Sequence, residues 1–213
     1  MSQTSEKRNV PSILRRVLAV DAFLTDVFAN TLETILPLRQ LRIHYKVLEV
    51  SCHGIPWLAC WLSLIWIMNK RSWYQMQTNF LIGLIVDIIF VAILKAFTRR
   101  RRPRRNSDPL LLGPDKYSFP SGHASRATFI VYFFLSIWPL HFVFIPPLFA
   151  WLISICISRI LMKRHYLLDL ISGVLLGIFE GFLISLIYLD EETCIGLISW
   201  LTDEKVEGGD YHV

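Results

Sequence analysis

Five long apolar stretches constrain what this 213-residue chain can fold into. Each is close to the length of a membrane-spanning helix, which needs roughly 20 apolar residues. The predicted spans cover residues 47–68, 76–97, 124–141, 144–162 and 166–189. Hydrophobic residues make up 54% of the sequence and the mean hydropathy is +0.46, too apolar for an ordinary soluble domain. We therefore predict an all-α fold, an integral membrane helical bundle of about five spans.

The segment before the first span has helical periodicity but is interrupted by charge. Within residues 13–38 the charged positions are Arg15, Arg16, Asp21, Asp26 and Glu33. Because charges near the centre of a span are costly, we predict an amphipathic helix that lies at the interface or re-enters the membrane. The predicted organisation is a basic N-terminal segment (1–46), a membrane-embedded domain (47–189) and an acidic C-terminal tail (190–213). No signal-peptide layout precedes them, so we expect insertion through internal spans.

Basic residues gather on one side of this arrangement. With five crossings, the N-terminal segment, the 98–123 loop and the 162–166 turn share one face, which the positive-inside rule makes cytosolic. The run "RRRRPRR" lies in that loop, and we expect its members other than Arg102 to be topology or membrane-surface charges: Arg99, Arg100, Arg101, Arg104 and Arg105. A nucleic-acid partner is disfavoured, since the run abuts a span and no base-reading module accompanies it.

Three short motifs stand on this basic face. Lys95 precedes Arg102-Pro103, "PSGH" covers 120–123, and Ser158-Arg159 precedes His165 and Asp169. Arginine offers forked donors that suit phosphate oxygens, so Lys95, Arg102 and Arg159 are predicted phosphate ligands. Ser121 and Gly122 fall where a helix begins, and their free N–H groups and the helix dipole form an anion cradle. No cluster of acids or cysteines on this face predicts a metal site.

The two histidines predict a double displacement at phosphorus. Asp169 lies four residues after His165, a spacing at which the acid holds Nδ1–H and leaves Nε2 as the nucleophile. His123 would protonate the departing oxygen, and water would then release phosphate from the phosphohistidine. The alternative for each residue alone is structural: a helix-end pair, or a cation that reaches up to lipid headgroups.

Four further polar residues lie in the apolar stretches or next to the second motif. We predict that Asp87, Glu180 and His53 are hydrogen-bonded to neighbouring helices rather than functional. Arg126 lies one turn beyond His123, a position from which we predict that it reaches the second phosphate of a diphosphate.

The three motifs resemble the signatures of the type 2 phosphatidic acid phosphatase superfamily, magnesium-independent lipid phosphatases of membranes. Every signature position is filled, over residues 95–169, about a third of the chain. The resemblance implies that His165 is the nucleophile, Asp169 its partner and His123 the general acid. It also implies that no metal cofactor is needed and that these residues bind the substrate phosphate: Lys95, Arg102, Ser121, Gly122 and Arg159.

Longer stretches resemble the subfamily that hydrolyses polyisoprenoid diphosphates: "LEVSCHGIPWL", "RRRRPRRN" and "DKYSFPSGHASRA". The resemblance implies presqualene, farnesyl or geranylgeranyl diphosphate as substrate, and the endoplasmic reticulum and nuclear envelope as location. Phosphatidate, lysophosphatidate, sphingosine phosphate and dolichyl diphosphate stay open as substrates. A non-catalytic lipid-binding protein also stays open, whereas vanadium haloperoxidases share a similar oxyanion pocket but are soluble.

Overall fold

The computed structural model describes residues 11–35, 42–68, 70–103 and 116–202, and within these ranges the regular structure is helical, with no strand. The predicted all-α fold is confirmed. The helices are α1 (Ser12–Ile35), α2 (Arg42–Ser51), α3 (Gly54–Ile67), α4 (Arg71–Thr98), α5 (Gly122–Tyr132), α6 (Ile145–Leu161), α7 (Leu167–Leu186) and α8 (Glu191–Thr202).

The predicted spans differ in how the structure forms them. In the part of the chain that the structure describes, α4, Phe142–Leu161 and α7 are each long and apolar enough to cross a membrane. The first predicted span is a pair of helices, α2 and α3, bent by 55°. Pro56 explains the break, because its ring would clash with the carbonyl of Cys52 in a continuous helix.

The third predicted span is shorter than expected. It consists of α5 and a π-helical turn, Phe133–Ile137, which together reach about 24 Å at 1.5 Å per residue. Pro139 follows and cannot continue the helix, so the apolar run to residue 141 overstated its length. The shortness fits the position of α5 at the centre of the bundle, where the side chains from Ala124 to Val131 are buried.

Glycines let α7 pack directly on α5. A Cβ atom at Gly173 would lie 2.5 Å from the carbonyl oxygen of Ser121, and one at Gly177 would collide with the carbonyl of Ser125. Spaced four residues apart, these glycines present a flat strip on which the α5 backbone rests, as small residues do in many membrane helix pairs. The close contact aligns the N-termini of α5 and α7, which carry the second and third sequence motifs.

The terminal segments both pack on the bundle. Helix α1 lies against α6 and α7 with Asp21, Thr25 and Ala29 buried, while its other face exposes apolar side chains, as predicted for an amphipathic helix. It is not among the described helices apolar enough to span a membrane. The predicted acidic tail begins with α8, which buries Cys194 and Ile198 and packs against α4. Residues 203–213 lie outside the described part.

Candidate active site

The N-terminus of α5 has the features of an anion cradle. Ser121 caps the helix, and its hydroxyl oxygen accepts a hydrogen bond from the backbone N–H of Ala124 at 3.4 Å. The backbone N–H of Ser121 donates to the carbonyl of Asp169 at 3.0 Å, which ties the start of α5 to the start of α7. A Cβ atom at Gly122 would lie 3.0 Å from Val91, so only glycine fits there without a shift. The prediction of a free N–H at Ser121 is therefore wrong, whereas the N–H of Gly122 at the first position of α5 and the helix dipole favour a bound anion at this end.

His165 is held in one tautomer by a main-chain carbonyl. It lies in the loop between α6 and α7, is buried, and its Nδ1 is 2.8 Å from the carbonyl oxygen of Ser118. A carbonyl only accepts, so Nδ1 carries the hydrogen and Nε2 keeps its lone pair. Asp169 Oδ2 lies 3.8 Å from Nδ1, beyond hydrogen-bonding distance. The predicted tautomer is therefore present, but Ser118 rather than Asp169 accepts the Nδ1 hydrogen bond.

Asp169 instead pairs with an arginine that the sequence assigns to the surface. Its Oδ1 accepts from Nη1 of Arg100 at 2.7 Å, and its Oδ2 accepts from the backbone N–H of Tyr166 at 2.9 Å. The other terminal nitrogen of Arg100 pairs with Asp21 of α1, and the guanidinium lies 4.1 Å from the centre of the Tyr166 ring. Arg100 is thus a buried link between two carboxylates, and the prediction of a topology or membrane-surface charge is wrong for this residue.

The other arginines of the run fall into three groups. Arg99 and Arg101 are exposed after the end of α4, as expected of surface charges. Arg99 has φ of 50°, a left-handed conformation that ends the helix and turns the chain toward the site. Arg102 is half-buried, whereas Arg104 and Arg105 lie outside the described residues. After the turn at Arg99 the side chains alternate, so that Arg100 and Arg102 are less exposed than Arg99 and Arg101.

The charges around His165 keep its imidazole neutral. The pKa of His165 is lowered to about 4, with burial as the largest cause, and the positive charges of Arg102 and Lys95 act in the same direction. Asp169 acts in the opposite direction and raises it. Lys95 is buried in the last turn of α4. At pH 7 the imidazole of His165 is therefore unprotonated and close to two cations, and a doubly charged oxyanion suits this environment.

His123 and Arg159 meet at α2. Arg159 is buried, and its Nη1 donates to Oε1 of Glu49 at 3.1 Å. His123 Nε2 lies 3.1 Å from the Glu49 carbonyl, and a carbonyl only accepts, so Nε2 carries a hydrogen and donates it to this carbonyl. The His53 ring lies edge-on to His123, with centroids 6.3 Å apart. The predicted phosphate ligand and the predicted acid thus share one contact residue, Glu49.

A second group of charges lies inside the bundle. Arg126 Nη2 is 2.6 Å from Oδ2 of Asp87, and its Nη1 donates to the carbonyl of Cys52 at 3.0 Å. Ser125 donates to Oε2 of Glu180 at 3.2 Å. Asp87 and Glu180 thus each contact a side chain of a neighbouring helix, as the predicted hydrogen bonding requires. The structure gives Arg126 the same kind of role, which contradicts the prediction that it reaches a second phosphate.

Three residues that contribute to the site were not predicted from the sequence. The carbonyl of Ser118 carries no side-chain signal, and Glu49 is recognisable only once α2 is folded against α6. Asp21 did leave a signal: Asp21, Thr25 and Ala29 recur every four residues on an otherwise apolar helix, which marks a buried polar stripe.

Metal-binding geometry is not found in the residues that the structure describes, where no group of three or more His, Cys, Asp or Glu side chains could hold an ion. The positive charge at the site comes instead from Lys95, Arg102 and Arg159. Together with the cradle at Ser121 and the lone pair on His165, these groups can bind a tetrahedral oxyanion and attack its central atom.

Comparison with known proteins gives a family for this arrangement. The sequence matches the model of the PAP2 superfamily over residues 77–192. "Probable lipid phosphate phosphatase beta" from Arabidopsis thaliana is 32% identical over 78% of this chain and 87% of its own length. "Decaprenylphosphoryl-5-phosphoribose phosphatase" from Mycobacterium tuberculosis is 29% identical over 61% of this chain and 70% of its own. The crystal structure of Aquifex aeolicus LpxE has a TM-score of 0.51 at 22% identity, covering 70% of this chain and 86% of that one, and shows a shared fold.

Proposed function

Because this chain belongs to the PAP2 superfamily, it is a phosphoric ester hydrolase acting on lipid phosphates, and we propose that its substrates are polyisoprenoid diphosphates. The observation that carries the catalytic part is the hydrogen bond from His165 Nδ1 to the carbonyl of Ser118 at 2.8 Å, which leaves Nε2 with its lone pair. The substrate part is supported by the stretches that resemble the polyisoprenoid diphosphate subfamily. A mycobacterial relative whose name includes a decaprenylphosphoryl group adds support.

The proposed reaction proceeds in two displacements. Nε2 of His165 attacks the terminal phosphorus, an N–P bond forms, and the bond to the bridging oxygen breaks. His123, as the imidazolium, gives a proton to that oxygen, which leaves as the lipid monophosphate. Water then attacks the phosphohistidine, gives its proton to His123 and releases inorganic phosphate, so the enzyme returns to its starting state.

The basic side chains take the place of a metal in this scheme. Lys95, Arg102 and Arg159 would bind the non-bridging oxygens, together with the hydroxyl of Ser121 and the backbone N–H of Gly122. Asp169 does not contact the reacting atoms, since it pairs with Arg100 rather than with the imidazole of His165. We propose that the reaction needs no magnesium or other metal.

The chain is an integral membrane protein, and its location is part of the proposal. Several apolar helices support the membrane assignment. We place the site on the face shared with the N-terminal segment, the cytosolic face by the positive-inside rule. The resemblance to the polyisoprenoid diphosphate subfamily supports the endoplasmic reticulum and nuclear envelope as the membranes in question.

A phosphatidate or another lipid monophosphate is the second candidate substrate. The relative from Arabidopsis thaliana, named as a probable lipid phosphate phosphatase, favours it. The cradle and its cations recognise the phosphate group, which both substrate classes share. The choice between the two classes therefore depends on the lipid chain and on a second phosphate.

The test is phosphate release by the purified full-length protein in detergent micelles, with EDTA present. The panel contains presqualene, farnesyl and geranylgeranyl diphosphates, farnesyl monophosphate, phosphatidate, lysophosphatidate and sphingosine phosphate. We expect the highest kcat/KM on the diphosphates and no activity in His165→Ala. The matched control is His141→Ala, at an exposed histidine near the start of α6, and it should keep native activity.

Higher activity on phosphatidate or sphingosine phosphate would move the substrate assignment to glycerolipids or sphingolipids and leave the mechanism standing. Activity lost on EDTA addition and restored by magnesium would contradict the metal-free proposal. Absence of activity on the whole panel would favour a lipid-binding protein that keeps the fold.

A further inference from the structure

Helix α1 caps a helix that lies far from it in sequence. Oδ1 of Asp21 accepts from the backbone N–H of Leu168 at 3.0 Å, and Oγ1 of Thr25 accepts from the N–H of Leu167 at 3.0 Å. The first N–H groups of a helix have no partner within that helix. Asp21 and Thr25 are both buried, so these bonds form away from solvent. The start of α7 is therefore fixed by α1 as well as by its own residues.

Asp21 also holds one end of Arg100. The guanidinium places one terminal nitrogen on Asp21 and the other on Asp169, at 2.7 Å, and the side chain of Arg100 is only 11% exposed. We call these three residues the face cluster. A planar guanidinium held at both ends has little freedom to rotate, whereas one held at a single end can swing. Loss of Asp21 would leave Arg100 with Asp169 as its remaining partner in the face cluster.

Arg100 reaches both sides of the His165 environment. Its side chain contacts Asp169, whose Oδ2 also accepts from the N–H of Tyr166, the residue next to His165. Its backbone carbonyl accepts from the N–H of Ser118 at 2.9 Å, and the carbonyl of Ser118 accepts from His165 Nδ1. Arg100 therefore fixes the positions of Asp169 and Ser118, which in turn fix the backbone next to the imidazole and its hydrogen-bond acceptor.

We propose that Asp21 is a positioning residue for the phosphatase reaction: it fixes Arg100 and the first turn of α7, and through them the imidazole of His165. The inference rests on the proposed role of His165 as the nucleophile. Asp21 does not touch the reacting atoms, so its effect is on the orientation of Nε2 and not on substrate binding. A small displacement of a nucleophile costs rate because the reacting atoms must start about 3–3.5 Å apart.

The experiment compares Asp21→Asn with Asp26→Asn in the full-length protein. Asp26 is an exposed carboxylate on the same helix, so its variant carries the same charge change without the contact. We expect Asp21→Asn to lower kcat about tenfold with KM unchanged, while Asp26→Asn stays within about twofold of native. Asp21→Glu keeps the charge and should recover most of the loss. Activities are expressed per folded molecule, measured by thermal melting of the same sample.

Two outcomes would overturn the inference: equal kcat in the two Asn variants, or a loss in Asp21→Asn that disappears when corrected for the folded fraction. If Asp21→Asn does not fold, Arg100→Lys takes its place, since lysine keeps the charge but cannot bridge two carboxylates as a planar fork. Arg100→Lys should lower kcat about tenfold at constant KM, and a native kcat would overturn the inference. Native protein without phosphatase activity would refute the proposed function itself, whereas active native protein with an unaffected Asp21→Asn would refute only the role of Asp21.

Discussion

Two clusters of buried charge have nearly the same composition and different surroundings. The face cluster links Arg100 to Asp169 and Asp21, and the core cluster pairs Arg126 with Asp87 and lies next to Glu180. Exposure does not separate them, because the side chain of Arg100 is 11% exposed, that of Arg126 is 7% exposed, and both Asp169 and Asp87 are fully buried.

Their neighbours separate them. The face cluster lies beside a neutral imidazole, two further cations and the start of two helices. The core cluster is carried by α4 and α5, which pack through aromatic and aliphatic side chains such as Phe80, Leu84 and Phe129. A buried arginine–carboxylate pair is therefore no indication of function by itself. The face cluster should affect chemistry, and the core cluster should affect stability.

The largest expected effect comes from Asp169→Asn. Asparagine keeps the shape but removes the charge that pairs with Arg100 and that supports the hydrogen on His165 Nδ1. We expect kcat per folded molecule to fall about 1,000-fold, because the imidazole loses the nearby negative charge, while the melting temperature falls less than in Asp87→Ala, since asparagine keeps a side-chain oxygen for Arg100. Steady-state kinetics on a diphosphate substrate measures the effect. A native kcat in this variant would contradict the expectation that the face cluster, unlike the core cluster, affects catalysis.

The core cluster should give the opposite result. Asp87→Ala leaves Arg126 buried without its carboxylate, and breaking a buried pair in this way costs about 3 kcal/mol of stability. Thermal melting in detergent should show this loss, with Glu192→Ala, at an exposed acid of α8, as the control. Activity per folded molecule should stay within about threefold of native, since Asp87 contacts Arg126 and not a member of the face cluster. A large fall in kcat at native stability would place the core cluster in the catalytic machinery.

More of the helical bundle than of the candidate site could be predicted from the sequence. Apolar runs gave the helices, but not the break at Pro56 or the early end of α5, because hydropathy is insensitive to backbone geometry. We made no prediction from the glycines of α7, whose four-residue spacing explains why α5 and α7 meet. The spacing of His165 and Asp169 indicated that the two side chains are near each other but not their contact, because His165 lies in the loop before α7.

The hydrogen-bond and ion-pair partners of the motif side chains could not be predicted from the sequence. Arg100 is one of four consecutive arginines, and composition cannot tell which of them turns inward after the left-handed residue Arg99. Glu49 meets Arg159, and Asp21 meets Arg100, across long sequence separations that only folding brings together. The acceptor for His165 is a backbone carbonyl, which every residue has.

Within the site, the role of His123 can be separated by the choice of leaving group. A diphosphate releases a phosphate monoester, whose second pKa is about 6, whereas a monophosphate ester releases a far more basic alkoxide. We expect His123→Ala to harm hydrolysis of farnesyl monophosphate about tenfold more than hydrolysis of farnesyl diphosphate. The measurement is kcat on both substrates with one enzyme preparation. Equal losses would argue against His123 as the proton donor.

The smallest expected effect concerns a third arginine–carboxylate pair, formed by Arg159 and Glu49 outside the two clusters. Glu49 is 21% exposed and pairs with Arg159, so a substrate phosphate can displace it, unlike the fully buried Asp87. We expect Glu49→Gln to lower KM about threefold, because the competitor for Arg159 loses its charge, and to lower the melting temperature less than Asp87→Ala does, since Glu49 is partly exposed. A raised KM would show instead that Glu49 holds Arg159 in its binding position.

The nucleophilic role of His165 is tested most directly by trapping the intermediate. The native protein is mixed with a substrate labelled at the terminal phosphate, quenched in base within milliseconds, and digested for mass spectrometry. Phosphate should be found on His165, stable in base and labile in acid, and it should be absent from His165→Ala. Label on another residue, or full activity in His165→Ala, would contradict the account.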